Sequence, residues 1–248
     1  MNASGNTLLI TGGGSGIGRE LALRFHALGN TVIVTGRHLD TLQETIAGRE
    51  GMHAMTLDMA DPDAIREFAR EITGRFAALN GVINNAGIMR IDDVGRESDL
   101  ADAEAQVVTN LLGPIRLNNA LVEHLKRQQN GFIVNVSSGL AFVPRADAAV
   151  YGATKAGIHL YTQALRHQLA GQVRVIELAP PAVQTELTPG QAHREGYMPL
   201  DAFIDEVMAL FTQQPVADEI IVERARFQRL AEREGRFDEA FLRINGSA

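Results

Sequence analysis

The sequence predicts a doubly wound α/β fold, in which helices cover both faces of a parallel β-sheet. Six short runs are rich in β-forming residues and nearly continuously apolar, and longer stretches of helical periodicity separate them. Strands that are buried on both faces of a parallel sheet have this composition. The predicted strands are TLLIT (7–11), TVIVT (31–35), MHAMTL (52–57), GVIN (81–84), FIVNV (132–136) and VRVIEL (173–178).

We expect one domain that covers residues 1–248. The 248 residues, 45% of them hydrophobic, suffice for a substantial core, and no linker, internal repeat or low-complexity tract marks a boundary. Residues 186–200 are polar and contain several glycines and prolines, which predicts a mobile lid. The segment 216–245 is predicted to be a helical C-terminal extension with a stop at Gly235 and a second helix to about Asn245.

Composition excludes several classes of function. The formal charge of −7 and a pI near 5.5 argue against a nucleic-acid-binding surface. The chain has no cysteine, so it forms no disulfide or thiolate metal site, and we assign no metal ligand. No apolar run approaches the ~18 residues of a membrane span, and no signal sequence begins the chain. A cytoplasmic protein without a membrane partner is expected.

A glycine-rich turn follows the first predicted strand and opens an amphipathic helix. Gly12 permits a sharp turn, Gly16 permits close approach of a diphosphate, and Gly18 permits the helix to pack closely on the strand. Ser15 and Ile17 lie in the same turn, whose helix N-terminus offers free N–H groups and a positive dipole. Many connections between strands and helices contain glycines, so the turn alone predicts a dinucleotide site only weakly.

Tyr151 and Lys155 share one face of a predicted helix in the stretch YGATK. An ammonium about 4 Å from a phenolate stabilises it by about 4 kcal/mol at an effective dielectric of about 20, which is equivalent to about three pK units. That change would bring the pKa of a tyrosine from about 10 towards neutrality, where it serves as a general acid or base. The alternative is an ordinary amphipathic helix.

The motifs together resemble those of the short-chain dehydrogenase/reductase family. Over residues 7 to about 188 the chain contains T-G-x-x-x-G-x-G, then NNAG at 84–87, then Ser138 thirteen residues before Tyr151, then Lys155. The resemblance implies a Rossmann fold, a nicotinamide dinucleotide cofactor and carbonyl–alcohol redox chemistry. The C-terminal segment resembles a subgroup named for an oxidoreductase of the D-alanine/lipoteichoic acid operon.

The resemblance also implies roles for a catalytic set. Ser138 polarises the substrate oxygen, Tyr151 exchanges a proton with it, and Lys155 keeps the tyrosine acidic and binds the nicotinamide ribose. The backbone carbonyl of Asn110 holds a water that connects Lys155 to solvent. Alternatively, Asn110 is a buried asparagine that satisfies a kink caused by Pro114.

The end of the second predicted strand indicates which dinucleotide is bound. An acidic residue there would bind the adenosine ribose hydroxyl, but the chain has Arg37, which matches a 2′-phosphate. We therefore expect NADP(H), with NAD(H) as the less favoured alternative. Arg37 could instead point to solvent, pair with Asp40 or stack on adenine. Asp58 resembles an adenine-contacting acid of the family, or it caps the helix that begins near Asp61.

Two further loops are predicted beside the cofactor. Asn85, Ala86 and Gly87 follow the fourth strand, where small residues suit close passage of a ribose. After the sixth strand, Pro180 and Thr185 match a family motif whose threonine contacts the nicotinamide carboxamide. Pro181 replaces the glycine that is usual there, which removes one N–H and fixes φ.

The predicted function is NADP(H)-dependent hydride transfer between nicotinamide and a small carbonyl or alcohol substrate. The alternatives are an NADP(H)-binding sensor without turnover, and a lyase or epimerase that uses the same tyrosine. By resemblance we expect a homodimer or homotetramer formed through helices around 100–129 and 150–170. The residues LAFVP (140–144) are expected to form an apolar wall of the substrate pocket or part of the core.

Overall fold

Seven parallel strands form one sheet in the order β3-β2-β1-β4-β5-β6-β7. The computed structural model describes residues 2–246; Met1, Ser247 and Ala248, at the ends of the predicted domain, lie outside the described residues. The doubly wound prediction is confirmed. The strands are β1 (Thr7–Thr11), β2 (Thr31–Gly36), β3 (Met52–Thr56), β4 (Leu79–Asn84), β5 (Phe132–Val136), β6 (Arg174–Leu178) and β7 (Glu219–Ile220).

Two apolar cores lie on opposite faces of this sheet. On one face, the first and seventh helices meet where the rings of Phe25 and Phe211 pack edge to face at 5.5 Å. On the other face, Ile65 and Leu117 from the third and fifth helices are fully buried. The helices are α1 (Gly16–Ala27), α2 (Leu39–Ile46), α3 (Pro62–Arg75), α4 (Ala101–Val107), α5 (Gly113–Lys126), α6 (Ala149–Gln168), α7 (Leu200–Thr212), α8 (Arg226–Arg229) and α9 (Phe237–Asn245).

The order of the strands determines where a ligand can bind. Chain progression runs outward from β1 through β2 to β3 on one side and from β4 to β7 on the other. A crevice therefore opens at the carboxyl ends of β1 and β4, as expected for a doubly wound sheet. The loops that follow β1, β4, β5 and β6 meet at this edge.

The C-terminal segment differs from the helical prediction. Glu219–Ile220 forms β7, which pairs in parallel with Glu177 and Leu178 of β6. Ile220 and Val222 are completely buried, so burial of this β-branched stretch against the sheet outweighs its helical propensity. Beyond it only the short α8 and then α9 are helical. The predicted stop is present, since Gly235 has φ +67° and α9 ends at Asn245.

The long helix predicted over 99–129 is divided. α4 ends at Val107, a π-helical turn covers Val108–Leu112, and α5 begins at Gly113. The helical spacing of this segment predicts that Leu100, Ala103, Val107, Leu111, Leu121 and Leu125 are buried. Leu121 and Leu125 are fully buried, but Leu100 is 61% exposed and Val107 is 37% exposed. These two predictions of burial were wrong because both side chains lie on the outer surface of α4 and the residue before it.

Within residues 2–246, none of the helices combines the length and the apolar character that a membrane crossing requires.

Candidate active site

The turn between β1 and α1 depends on two glycines that allow close backbone contacts. Gly12 has φ +68°, and a β-carbon there would lie 2.9 Å from the Cα of Ala86. A β-carbon on Gly18 would lie 2.3 Å from the carbonyl oxygen of Gly12. Contacts this short do not occur, so only glycine lets the start of α1 pack this closely against the turn. Gly16, with φ +51°, faces the crevice opposite Thr185.

The NNAG loop after β4 is fixed by asparagine side chains. Asn84 donates from Nδ2 to the Oδ1 atoms of Asn118 and Asn135, each at 2.8 Å, which links β4 to α5 and β5. Asn85 donates from Nδ2 to the carbonyl of Thr11 at 3.0 Å, and its backbone N–H donates to Thr11 Oγ1. These bonds hold the backbone of Asn85 and Ala86 beside the glycine turn.

Arg37 follows β2 and Asp58 follows β3, and of the two only Arg37 lines the crevice. Arg37 is exposed and lines the crevice, and among residues 2–246 no ion pair joins it to Asp40. Asp58 is exposed and accepts a hydrogen bond from the backbone N–H of Ala60 at 2.9 Å. The cap of α3 is Asp61, which accepts from two backbone N–H groups at 2.8 and 3.0 Å. The capping alternative for Asp58 was therefore wrong.

Ser138, Tyr151 and Lys155 meet at the carboxyl end of β5. Ser138 lies two residues after the end of the strand, and its Oγ accepts from the N–H of Leu140 at 3.1 Å, beside Tyr151 in the cleft. Tyr151 and Lys155, one turn apart on α6, are 7% and 4% exposed. The Lys155 ammonium donates to the carbonyl of Val136 at 2.9 Å and lies 5.6 Å from the centre of the Tyr151 ring.

Burial dominates the protonation of this pair in the protein alone. It raises the pKa of Tyr151 to about 12, with the Ser138 hydrogen bond acting in the opposite direction. Burial also lowers the pKa of Lys155 to about 8. The expected lowering of the tyrosine pKa is thus absent here. Loss of hydration penalises both charged forms, and the ammonium is hydrogen-bonded to Val136.

Asn110 lies in the π-helical turn that precedes Pro114. The N–H of Gly113 donates to the carbonyl of Val108, five residues earlier, which is the bond that defines this wider turn. The Asn110 side chain exchanges two hydrogen bonds of 2.8 Å with the backbone of Ile88. Its Oδ1 would be 3.3 Å from a β-carbon on Gly87. The side chain therefore fixes the loop after NNAG.

The loop after β6 is held by a buried glutamine that sequence reasoning did not identify. Gln191 is 7% exposed, and its Nε2 donates to the carbonyl of Val183 at 2.9 Å and to Thr185 Oγ1 at 3.2 Å. Met198 pairs with Val183 as an isolated β-bridge. The predicted lid segment is thus tied to the loop that carries Thr185, and Pro181 lines the crevice.

One cleft of about 850 Å³ collects most of the predicted residues. The predicted residues that line it are Gly12, Ser15, Gly16, Ile17, Arg37, Asn85, Ala86, Gly87, Ser138, Tyr151, Lys155, Pro180 and Thr185. Three predicted residues, Gly18, Asp58 and Asn110, do not line it. Lining residues that the sequence did not indicate include Arg90, Arg145, Arg224, Gln228 and Arg243. Except for Arg224 and Gln228, they are far apart in sequence, and none belongs to a recognised motif.

Comparison with known proteins agrees with this arrangement. The family model for short chain dehydrogenase matches residues 6–196. The chain is 40% identical over 202 residues to the uncharacterised oxidoreductase DltE of Bacillus subtilis, covering 79% of each chain. A short-chain dehydrogenase from Burkholderia cenocepacia, solved with NADP, has a TM-score of 0.83 at 25% identity and full coverage of both chains.

A second solved structure has the same fold with a different cofactor. The 3-ketoacyl-(acyl-carrier-protein) reductase of Brucella melitensis, solved with NADH, has a TM-score of 0.79 at 24% identity, over 90% of this chain and all of that one. The matched family model, the identity to DltE and the shared fold together show that this chain belongs to the short-chain dehydrogenase/reductase family of oxidoreductases.

Proposed function

We propose that the protein is an NADP(H)-dependent oxidoreductase that interconverts a carbonyl compound and its alcohol, with Tyr151 as the general acid and base. One observation carries the proposal. Ser138, Tyr151 and Lys155, the last two one turn apart on α6, line the same cleft as the glycine turn. A proton-transfer group and a phosphate-binding turn are therefore open to one continuous space.

The residues present fit a nicotinamide dinucleotide. Gly12 and Gly16 leave the turn open, and the first N–H groups of α1 have no partner within the helix, as an anion site requires. Asn85, Ala86 and Gly87 would border the ribose, and Thr185 would contact the carboxamide. When bound, the nicotinamide supplies or accepts the hydride.

Each side chain of the catalytic set has its own role in the proposed reaction. Ser138 donates a hydrogen bond to the substrate oxygen, and Tyr151 gives that oxygen its proton during reduction. With its pKa at about 12, Tyr151 is protonated at neutral pH. With its pKa at about 8, Lys155 is mainly charged there. Both groups therefore carry their protons at neutral pH, as the proposed donation from Tyr151 requires. Asn110 positions the loop beside Lys155.

Replacement of Tyr151 by phenylalanine tests the chemical role. We expect kcat with NADPH, across aldehydes and ketones, to fall at least ~100-fold, because general acid catalysis contributes about that much. Tyr161→Phe on the same helix is the matched control, since Tyr161 does not line the cleft. Full turnover by Tyr151→Phe would contradict the role. Tight NADPH binding by the wild type without oxidation across the panel would favour the sensor alternative.

The preference for NADP(H) rests on Arg37, which has no carboxylate partner among residues 2–246 and lines the cleft at the end of β2. We expect Arg37→Gln to weaken NADPH binding about 10- to 100-fold, as for loss of a charge-assisted hydrogen bond, and to leave NADH binding nearly unchanged. Cofactor fluorescence titrations measure both. Arg70→Gln, an exposed arginine on α3, is the control. Equal wild-type affinity for NADPH and NADH would remove this assignment.

The proposal also includes a lid, a cellular compartment and an oligomeric state. Residues 186–200 act as the lid of the cleft. The protein works in the cytoplasm, which agrees with its lack of cysteine. It forms a homodimer or homotetramer through the helices around 100–129 and 150–170, where Leu100, Val107 and Leu160 are exposed.

A further inference from the structure

The cleft is basic although the protein is acidic. The chain has a formal charge of −7, yet six basic and two acidic side chains line the cleft. They are Arg37, Arg90, Arg145, Lys155, Arg224 and Arg243, against Glu186 and Glu223. Arg37 and Lys155 have roles in the proposed function. The other four arginines belong to no step of hydride or proton transfer, and two of them come from the C-terminal segment.

Two of these four arginines already have a carboxylate partner. Arg145 forms a two-point ion pair with Asp147, and it also donates to the hydroxyl of Tyr197 at 3.4 Å. Arg90 lies 3.5 Å from Asp102. Since their charge is balanced by carboxylates next to them, neither is available to bind an anion at full strength.

Arg224 and Arg243 are different. Arg224 donates one hydrogen bond, to the carbonyl of Gly196 on the lid segment. The guanidinium of Arg243 lies 4.7 Å above the ring of Phe227. Over residues 2–246, neither has a carboxylate within ion-pair distance. Each guanidinium has five N–H donors, so most of its donors remain free beside the cleft.

Gln228 is an uncharged polar residue that lines the same cleft as Arg224 and Arg243. It is 6% exposed, lines the cleft, and its side-chain amide makes no hydrogen bond with any residue in 2–246. The amide packs on Gly139, where a β-carbon would lie 2.3 Å from its Oε1. Gly139 follows Ser138, so this free amide lies beside the reaction centre.

The acidic lining residues do not cancel the two free arginines. Glu223 lies 3.7 Å from Arg226, which is outside the lining of the cleft, so part of its charge is balanced there. Glu186 is exposed and adjoins Thr185, on the loop that is assigned to the nicotinamide. The surplus of positive charge therefore belongs to the wall formed by the C-terminal segment.

We propose that the carbonyl substrate carries an anionic group, a carboxylate or a phosphate, which Arg224 and Arg243 bind while Gln228 hydrogen-bonds to the substrate nearer the reacting oxygen. Guanidinium groups bind these oxyanions through paired, charge-assisted hydrogen bonds. This inference rests on the proposed function for the position of the carbonyl, but anion binding can be measured without turnover.

Calorimetric titration in the presence of NADPH tests the binding, because an alcohol cannot transfer a hydride to the reduced cofactor. The carboxylate probe is 4-hydroxybutanoate, with 1,4-butanediol as its neutral match. The phosphate probe is glycerol 3-phosphate, with glycerol as its neutral match. We expect at least one anion to bind the wild type about 10-fold or more tightly than its match, as expected of charge-assisted bonds. The two pairs distinguish carboxylate from phosphate.

The double variant Arg224→Gln/Arg243→Gln is expected to lose that preference, and Gln228→Leu to weaken the anionic and the neutral alcohol alike. Arg233→Gln is the matched control, because Arg233 is an exposed arginine of the same segment that does not line the cleft. Thermal melting checks that each variant is folded. A wild type that binds both anions no better than their neutral matches overturns the inference, as does a double variant that keeps the preference.

A turnover assay separates this inference from the proposed function. With NADPH, 4-oxobutanoate and butanal are compared as an anionic and a neutral aldehyde. Turnover of both at equal kcat/KM, together with equal binding of the alcohols, overturns the anionic substrate and leaves the oxidoreductase proposal intact. Selective binding of an anion with no turnover of any aldehyde supports the anion site and contradicts the oxidoreductase proposal.

Discussion

Lys155 is a buried cation, and one hydrogen bond does little to offset the loss of hydration of its ammonium. Its ammonium donates to one backbone carbonyl, that of Val136, and it is 4% exposed. Burial lowers its pKa from 10.5 to about 8, a difference that corresponds to about 3 kcal/mol of destabilisation when the amine is charged. A stability requirement does not explain this lysine, whereas a requirement for charge beside Tyr151 does.

We therefore expect Lys155→Met to abolish turnover and to stabilise the fold. At pH 7 the free energy of unfolding should rise by about 1–3 kcal/mol, since loss of one hydrogen bond to Val136 offsets about 1 kcal/mol of the gain. Between the native pKa of about 8 and 10.5 the unfolded chain binds the extra proton. In this pH range the free energy of unfolding of the wild type therefore rises with pH relative to that of the variant, and the difference between the two becomes smaller.

Urea denaturation at pH 7 and near pH 10 measures this difference. Lys126→Met is the control, because Lys126 is partly exposed and pairs with Glu123 at the surface. Two results would show that the cost of burying this charge is small. Lys155→Met could have a lower free energy of unfolding than the wild type at pH 7, or its excess over the wild type could grow with pH.

At the scale of the element, the π-helical turn shows how a proline positions Asn110, a residue of the predicted catalytic set. Pro114 has no N–H, so the carbonyl of Asn110 lacks its usual donor four residues later. The helix widens over Val108–Leu112, and the Asn110 side chain turns to the backbone of Ile88. The sequence predicted a kink at this place. The bond to Ile88 was not predictable, because it joins segments twenty-two residues apart.

The C-terminal segment shows how burial can override local preference. Its charged and helix-favouring composition predicted helices from residue 216 onwards, yet two residues pair with β6 because Ile220 is fully buried. This short strand ends the sheet, so Arg224, Phe227 and Gln228 follow immediately at the edge where the cleft opens. The unusual ending of the chain thus forms one wall of the site.

At the scale of the whole molecule, α4 and α6 are two neighbouring helices that expose apolar side chains to solvent. Leu160 on α6 is 65% exposed, and Leu100 and Val107, at α4, are 61% and 37% exposed. α4 and α6 pack against each other, which places these side chains on neighbouring elements. Apolar residues grouped in this way are typical of a surface that is covered by another protein.

If this surface joins two copies of the chain, Leu160→Glu should dissociate them. Light scattering after size-exclusion chromatography should give a mass reduced by half or more, with little change in monomer stability because Leu160 is exposed. Leu39→Glu on α2, where the leucine is 45% exposed, is the control. A wild type that is monomeric at micromolar concentration, or a Leu160→Glu protein of unchanged mass, would contradict the proposed interface.

The sequence by itself determined the order of the first six strands, the glycine turn and the spacing of Ser138, Tyr151 and Lys155. These features are local: a β-forming run, a residue without a side chain, and a helical repeat of four residues each have their effect within one element. The family resemblance then placed the motifs in a doubly wound sheet, and the structure confirms that fold.

Only the tertiary structure decided the electrostatics and the far wall of the cleft. Spacing on a helix predicts that Tyr151 and Lys155 are neighbours, but burial and the competing bond to Val136 set their pKa values. Likewise Arg224, Gln228 and Arg243 reach the cleft through packing of segments distant in sequence. Hydration loss and long-range contacts depend on all the surrounding chain, and no local pattern of residues records them.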